Sequence, residues 1–208
     1  DLSVKWKLPI EEAFSKWGHL DMTPEDIKEI WREKAKIATD RGTAFHKKKE
    51  EESLSAGAVC GYSEEDNLRG SLDLKKLSPG VYIELMIPYF PKFLIGTADK
   101  VEILPDKSFV ISDFKTDSEL KFKGTAYFNP QKRIKEVRKL FNPLSHIDDV
   151  NGQHYNVKMS LYAYFLEQWG YTFKEGWIDH VVDLDSEKIQ SYPMVYYKKE
   201  IENMLKLA

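Results

Sequence analysis

The chain has 208 residues, of which 31% are charged and 42% are hydrophobic, and its formal net charge is −3. This length suffices for one domain with a buried core, and the nearly balanced charge excludes a polycation of the histone kind. Any nucleic-acid binding must therefore come from a local basic surface. The single cysteine, Cys60, excludes a disulfide framework and a four-cysteine zinc or iron–sulfur site.

The sequence contains no run of about 18 apolar residues and no signal peptide, so we expect a soluble, cytoplasmic protein. We interpret residues 1–208 as a single domain with a core at roughly 41–183. An N-terminal helical extension is expected at 1–40, an insertion at 117–149 and a C-terminal helix at 195–206.

The N-terminal third predicts two helices. Trp6, Phe14 and Trp17 are expected packing anchors in the first 22 residues. Thr23–Asp26 predicts a helix start, because threonine caps, proline suits the first turn and acids favour the helix dipole. We expect this helix to end near Asp40–Gly42.

The second predicted helix is capped by Thr43 and carries His46 on its first turn. The charge run Lys47–Glu52 is interpreted as a solvated helix face. Residues 53–80 are glycine-rich and predict a surface excursion. Val81–Pro88 predicts a strand, and its Glu84 is an acid in an otherwise apolar run, for which an exposed position on an edge strand is one explanation.

A predicted hairpin is the centre of the chain. β-Branched and aromatic residues favour strands at Thr97–Leu104 and Ser108–Lys115, joined by a tight turn at Pro105–Lys107. Asp99 and Asp113 are equally far from the middle of that turn, at residue 106 (106 − 99 = 7 and 113 − 106 = 7), which makes them predicted cross-strand partners.

Side-chain alternation places Asp99, Asp113 and Lys115 on one face, at the open end of the hairpin. Two carboxylates at about 4 Å repel by about 4 kcal/mol when the effective dielectric constant is near 20. A fold tolerates such a pair when a divalent cation lies between the two groups, or when one of them holds a proton. An oxygen-only pair suits a hard ion such as Mg²⁺.

The rest of the chain predicts a basic segment, a long helix and a final pair of strands. Gln131–Leu140 is expected to form a short basic helix, either a solvated face or a phosphate-binding patch. Asn151–Trp169 is expected to be the second main helix. A strand at Trp177–Val182 is expected to pair with Lys188–Tyr192, before an amphipathic helix at Val195–Leu205.

Four ordered motifs together resemble the PD-(D/E)xK nuclease superfamily, and in detail its RecB-like branch. They are Arg41–His46, which contains Gly-Thr-x-x-His, then Gly-Thr-Ala-Asp at 96–99, Asp-Phe-Lys-Thr at 113–116, and Lys158-Met-Ser-Leu-Tyr162. The last motif differs from the family pattern, because Lys158 replaces the usual glutamine. Lysine meets a phosphate as a point charge but has no hydrogen-bond acceptor.

The resemblance implies an α/β fold with a restriction-endonuclease-like three-layer core, in the order αβββαβ, and a mixed central sheet flanked by helices. It implies a stand-alone deoxyribonuclease dependent on Mg²⁺ or Mn²⁺, without an iron–sulfur cluster, as in phage-type exonucleases. Such enzymes most often act on DNA ends or single strands in recombination, repair or replication. The implied partner is DNA, and no membrane partner is implied. The motifs indicate neither a protein partner nor a homo-oligomer.

The resemblance also assigns the site residues. Asp99, Asp113 and Lys115 are the expected catalytic residues. The expected metal ligands are His46, Asp99, Asp113 and the backbone carbonyl of Phe114, with Glu84 as an outer ligand at most. Expected substrate contacts come from Arg41, Thr116, Lys158 and Tyr162. A lone histidine such as His46 is otherwise a common helix-surface residue, and Tyr162 is otherwise a core residue.

Three other functions stay open. The first is a structure-selective endonuclease. The second is a non-catalytic nucleic-acid-binding module that keeps the nuclease fold. The third, an acid pair for glycoside hydrolysis, is weak, because such carboxyl groups face each other across a sugar and Lys115 would have no task.

Overall fold

The computed structural model describes residues 23–63, 68–69 and 74–207. The predicted anchors Trp6, Phe14 and Trp17 lie outside these residues, as does part of the predicted excursion at 53–80. The chain divides into two compact units, Asp1–Ala44 and Phe45–Ala208. In the described part, no helix is both long enough and apolar enough to cross a membrane.

Helix α1 spans Pro24–Ser55 and begins where the sequence predicts. The Thr23 amide donates to Asp26 Oδ2 at 2.8 Å, and the Asp26 amide donates to Thr23 Oγ1 at 3.2 Å, which caps the first turn. The predicted break at Asp40–Gly42 and the predicted cap at Thr43 are wrong, because the helix continues through both. Glycine inside a helix costs only about 1 kcal/mol relative to alanine, so it weakens a helix without ending it.

The strands of the second unit form one large mixed sheet and two small pairs. In chain order they are β1 (Val59–Cys60), β2 (Tyr62–Ser63), β3 (Leu68–Arg69), β4 (Gly80–Tyr89), β5 (Leu94–Ile103), β6 (Ser108–Lys115), β7 (Tyr127–Asn129), β8 (Ile134–Glu136), β9 (Thr172–Asp183) and β10 (Lys188–Pro193). The six-stranded sheet has the spatial order β1-β4-β5-β6-β9-β10, while β2 pairs with β3 and β7 with β8. The β1–β4 and β6–β9 pairs are parallel and the others antiparallel, so the α/β class and the mixed sheet are confirmed.

Two further helices are α2 (Asn151–Gln168) and α3 (Lys198–Leu207). Helix α2 packs on the apolar side chains of the sheet, among them Leu85, Val101 and Ile111, which are fully buried. The predicted order of helix, three strands, helix and strand is present as α1, β4, β5, β6, α2 and β9. Helix α3 begins at Lys198 rather than at Val195.

The central hairpin has the predicted turn and register. Val101 pairs with Ile111 and Ile103 pairs with Phe109. In the turn, Asp106 Oδ1 accepts hydrogen bonds from the amide and the hydroxyl of Ser108, at 2.9 and 2.6 Å. This side-chain acceptor fixes the turn locally, which is why local sequence signals predict it.

The predicted basic helix at Gln131–Leu140 is wrong, because this segment contributes to the hairpin of β7 and β8. Asn129 Oδ1 accepts the amide hydrogens of Gln131 and Lys132, at 3.0 and 3.2 Å, and so favours a turn over a helix. Arg133 has a φ of +55°, a left-handed conformation that a helix does not contain.

Candidate functional site

Three carboxylates lie side by side across neighbouring strands of the sheet. The β4–β5 register pairs Ile83 with Lys100 and Leu85 with Ala98, which places Glu84 opposite Asp99. The β5–β6 register pairs Lys100 with Ser112, which continues to Asp99 opposite Asp113. We call Glu84, Asp99 and Asp113 the carboxylate row.

The pairing of β5 and β6 ends beside this row. The backbone amide of Phe114 donates to Asp99 Oδ2 at 3.0 Å, so a side-chain carboxylate takes the acceptor role that a strand carbonyl has elsewhere in the sheet. Asp99 is thereby held at the point where the two strands part. The hairpin therefore opens next to the two aspartates, as the sequence predicts.

His46 approaches Asp99 from α1. Its Nδ1 lies 3.4 Å from Asp99 Oδ2. The neighbouring Phe45 is buried and packs edge-on against the Phe114 ring, with centroids 5.8 Å apart. The His46 ring also lies edge-on to Phe114, at 6.2 Å. Phe114 thus contacts Asp99 through its backbone amide, and its ring packs against Phe45 and His46 of α1.

Asp113 is almost completely buried, at 1% exposure, and two lysines neutralise it. Lys158 Nζ lies 3.1 Å from Asp113 Oδ1, and the Lys115 ammonium lies against Oδ2. Lys115 Nζ also donates to the Phe114 carbonyl oxygen at 2.9 Å. Despite the ionic contact, no donor in the described residues is aligned for a hydrogen bond to Asp113 Oδ2. This oxygen could become a metal ligand only if the Lys115 ammonium moved away from it.

The surroundings of the carboxylate row oppose the ionisation of Asp99 and Glu84. Burial raises the pKa of Asp99, and the charge of Asp113 adds to the rise, while Lys115 and His46 oppose it. Burial also raises the pKa of Glu84 to about 7, with the charges of Asp99 and Glu50 acting in the same direction. A bound cation would relieve this excess of negative charge.

Glu84 has an unusual backbone conformation for a strand residue, with a φ of +48°. Gly61 lies directly against it. The Gly61 amide donates to the Ile83 carbonyl at 2.7 Å, and a Cβ atom on Gly61 would lie 2.5 Å from the Glu84 carbonyl oxygen. Left-handed backbone at a non-glycine residue costs about 1–3 kcal/mol and is concentrated at functional sites.

Lys115 is held by residues that sequence reasoning missed. Its Nζ lies 4.8 Å from the centre of the Tyr155 ring, within the range of a cation–π interaction. The Tyr155 hydroxyl donates to Asp117 Oδ2 at 2.7 Å, and His180 Nε2 donates to the Asp117 carbonyl at 2.8 Å. Burial and the hydrogen bond to Asp117 raise the pKa of Tyr155, so this hydroxyl remains a donor.

Lys158 and Tyr162 point to the same place, as their spacing on α2 predicts. Lys158 Nζ lies 5.5 Å from the centre of the Tyr162 ring. Burial lowers the pKa of Lys158, but attraction by Asp113, Tyr162 and Asp99 outweighs it, and the net change is upward. Tyr162 is buried against Gly96, where any side chain would overlap its ring. The glycine of the Gly-Thr-Ala-Asp motif therefore makes room for Tyr162.

A cavity is lined by His46, Glu50, Glu84 and Asp99. Lys49 also borders this cavity. Lys49 and Glu50 are half-buried, so the prediction of a solvated face at Lys47–Glu52 is wrong for these two residues. Glu50 follows His46 by four residues, or one helical turn, so the sequence spacing alone places the two side chains on the same face of the helix.

Two predicted substrate contacts have no counterpart in this geometry. Arg41 belongs to the compact unit that ends at Ala44, so its contact with substrate stays a prediction. Thr116 directly follows the end of β6 and is half-buried, and its role also stays a prediction.

The donor set fits a divalent cation only after a rearrangement. Among the described residues, no three histidine, cysteine or acidic side chains already converge to hold a metal ion. Lys158 contacts Asp113 Oδ1 and the Lys115 ammonium lies against Oδ2, so both oxygens of this carboxylate already contact a lysine. A cation bound to Asp113 Oδ1 would therefore replace Lys158, and one bound to Oδ2 would replace Lys115.

No protein-family model, curated protein or solved structure matches the chain. The support for a function therefore consists of the geometry of the carboxylate row and of the residues that surround it.

The raised pKa of Glu84 predicts a pH-dependent stability. An acid whose folded-state pKa exceeds its unfolded value holds its proton more tightly when folded, so its ionisation destabilises the fold. In EDTA, we expect stability to fall as the pH rises from about 4.5 to about 7, the window between the two pKa values of Glu84. Urea unfolding at a series of pH values measures this slope.

The Glu84→Gln variant should show a smaller slope in the same window, because its side chain does not titrate. Glu51→Gln is the matched control, since Glu51 is exposed on α1. Equal slopes for the wild type and Glu84→Gln would contradict the assignment.

Proposed function

We propose that this chain is a metal-dependent nuclease that hydrolyses DNA phosphodiester bonds, with a restriction-endonuclease-like core of the RecB-like branch. One observation carries the proposal. The buried Asp113 and the half-buried Asp99 oppose each other where the hairpin opens, with His46 and Lys115 beside them. This is the residue set that the motif resemblance assigns to metal binding and catalysis.

In this proposal Mg²⁺ or Mn²⁺ is held by His46, Asp99 and Asp113, with Glu84 in an outer position. The bound cation would polarise a phosphate oxygen and lower the pKa of a water molecule. Support comes from the raised pKa values of Asp99 and Glu84 and from the position of Asp113, whose buried carboxylate is compensated by lysine ammonium groups that a cation could replace. The Phe114 carbonyl, which accepts from Lys115, would become available as a ligand when Lys115 turns to the substrate.

Lys115 is proposed to contact the scissile phosphate and the attacking water. Its ammonium group would offset the negative charge that develops on the phosphate during hydrolysis. Tyr155 supports this role, because its ring faces the ammonium at 4.8 Å while Asp117 fixes its hydroxyl. The lysine is thus directed to one side of Asp113 before substrate arrives.

Lys158 and Tyr162 are proposed to bind substrate phosphates. Lys158 and a cation would neutralise the same carboxylate of Asp113, so metal entry would release the Lys158 ammonium toward an incoming phosphate. Lysine can fill this role as a point charge, although glutamine is usual at this place in the family pattern.

Substitution at the catalytic residues should remove cleavage. Asp113→Asn keeps the shape but removes the charge, and Lys115→Met removes the ammonium, so each should lower the cleavage rate by at least about 100-fold. End-labelled single-stranded and duplex DNA, incubated with Mg²⁺ or with EDTA, measures this. Lys206→Met, at an exposed position on α3, is the control. Undiminished cleavage by either site variant in its folded form would refute the assignment.

An exonuclease should spare circular DNA. We propose an exonuclease that acts on ends or single strands, following the stand-alone RecB-like pattern, with a structure-selective endonuclease as the nearest alternative. Linear single strands should therefore be degraded in Mg²⁺ while a circular single strand of the same sequence persists. Cutting of the circle at a comparable rate would favour the endonuclease.

Metal affinity should report the competition between Lys158 and a cation. Calorimetry with Mn²⁺ should show a binding site that Asp99→Ala removes, because a ligand is lost. Lys158→Met should bind Mn²⁺ more tightly than the wild type, because Asp113 is then free of one ammonium, and should bind DNA more weakly. Lys92→Met, an exposed lysine in the β4–β5 turn, should change neither. Unchanged Mn²⁺ affinity in Lys158→Met would contradict the competition.

A non-catalytic nucleic-acid-binding module is the second candidate. One observation favours it, namely that Asp113 is already neutralised by Lys115 and Lys158. Such a module would bind DNA equally well in EDTA and in Mg²⁺, and calorimetry would find no Mn²⁺ site that depends on Asp99. The experiments above therefore separate the two candidates.

A further inference from the structure

The hairpin of β7 and β8 is rooted at the Lys115 end of the site. The Gly152 amide donates to the Lys121 carbonyl at 2.9 Å, and the Lys121 amide donates to Asn151 Oδ1 at 2.9 Å. These bonds fasten the segment before the hairpin to the first turn of α2. The next turn of α2 carries Tyr155, whose ring faces Lys115. The segment that leads into the hairpin is therefore connected through one turn of α2 to the residue that faces Lys115.

This segment concentrates positive charge in an acidic chain. Residues 121–141 contain seven basic residues and one acid, a net charge of +6 (7 − 1), so the remaining 187 residues (208 − 21) carry −9 (−3 − 6). The seven are Lys121, Lys123, Lys132, Arg133, Lys135, Arg138 and Lys139. A local basic surface of this kind is the electrostatic requirement for binding a polyanion.

Part of this charge remains uncompensated, although Lys121 pairs with Glu119 at 2.8 Å and Lys139 with Asp148 at 2.5 Å. The one acid, Glu136, accepts hydrogen bonds from Tyr127, Asn129 and Lys132 at 2.8, 2.6 and 3.0 Å. These bonds lower its pKa to about 2 and stabilise the hairpin. In contrast, the described residues form no ion pair with Arg133, Lys135 or Arg138, all of which are exposed.

Exposed aromatic rings accompany the basic residues. Phe128 is 59% exposed and pairs across the hairpin with Lys135, so ring and ammonium share one face. Phe141, just after the hairpin, is 92% exposed. A phenylalanine in water gains nothing for the fold, whereas a ring beside cations matches a nucleobase beside its phosphates.

We propose that the face of Phe128 and Lys135 binds single-stranded nucleic acid and guides it to the carboxylate row. Phe128 stacks on an unpaired base, while Lys135, with Arg133 and Arg138 nearby in the chain, contacts the phosphates. A duplex offers this face only phosphates, which would leave the Phe128 ring unused, so the single strand is the fitting ligand. The guiding role rests on the proposed function, but the binding does not.

Binding is tested without metal, by fluorescence anisotropy of a labelled oligothymidine in EDTA, with a duplex of the same length as comparison. Phe128→Ala should weaken single-strand binding by on the order of 10-fold or more, since stacking is lost. Lys135→Met should also weaken it and should reduce the slope of log affinity against log salt by about 0.7. Duplex binding should change little in Phe128→Ala.

Matched controls lie in the β4–β5 turn. Phe93 is 93% exposed and Lys92 is exposed, so Phe93→Ala and Lys92→Met repeat both substitutions away from the hairpin. Both should leave oligothymidine binding unchanged. An equal loss in the control variants, an unaffected Phe128→Ala, or equal losses on duplex and single strand would each overturn the proposal.

The two proposals fail separately. Asp113→Asn should still bind oligothymidine in EDTA, because the hairpin is intact. Binding without any Mg²⁺-dependent cleavage would leave the hairpin site standing and refute the nuclease. Cleavage that Phe128→Ala and Lys135→Met leave unchanged, together with unchanged binding, would refute the hairpin site and leave the nuclease.

Discussion

The repulsion between Asp99 and Asp113 is the constraint on which the rest of the site depends. Both carboxylates are held in place where two strands part, and each is stabilised by one residue of β6 and one residue of a helix. The Phe114 amide and His46 contact Asp99, while Lys115 and Lys158 contact Asp113. Strand β6 and helices α1 and α2 therefore meet at one pair of acids.

The two sides of this pair are not equally compensated. Asp113 contacts two ammonium groups, whereas Asp99 has an amide, an imidazole and the neighbouring acid Glu84. Burial is the largest cause of the raised pKa values of Asp99 and Glu84, and the neighbouring carboxylate charges add to it. A cation would therefore stabilise the site most on the side that His46 and Glu84 share, and the close packing of Gly61 on Glu84 keeps that acid there.

The sequence predicts the parts of the site that depend on local signals. The turn after Leu104 and the alternation of β5 and β6 place Asp99 opposite Asp113 before any tertiary contact is known. In contrast, Tyr155 and His180 reach Lys115 only through the packing of α2 and the parallel pairing of β6 with β9, which pairs Lys115 with His180. No periodicity in the chain indicates such distant contacts.

The predicted helix break at Asp40–Gly42 and the predicted helix at Gln131–Leu140 were wrong for the same reason. Gly42 weakens α1 by about 1 kcal/mol, which is too little to end a helix that continues for three more turns or so. In the basic segment, helical propensity was equally indecisive, and two hydrogen bonds to the Asn129 side chain select the hairpin. Helix propensity is a weak preference, and a few specific hydrogen bonds outweigh it.

Charge segregation resolves an apparent conflict between an acidic site and an anionic substrate. The carboxylate row repels phosphates, and the chain outside residues 121–141 carries a net charge of −9. If the proposed function holds, affinity for a nucleic acid comes from a separate basic surface, and the segment before the hairpin is fastened to the same helix as Lys158. In the proposed function, binding by the hairpin and chemistry at the row would be complementary, because a cation held among the carboxylates would need a phosphate that another part of the chain has brought close.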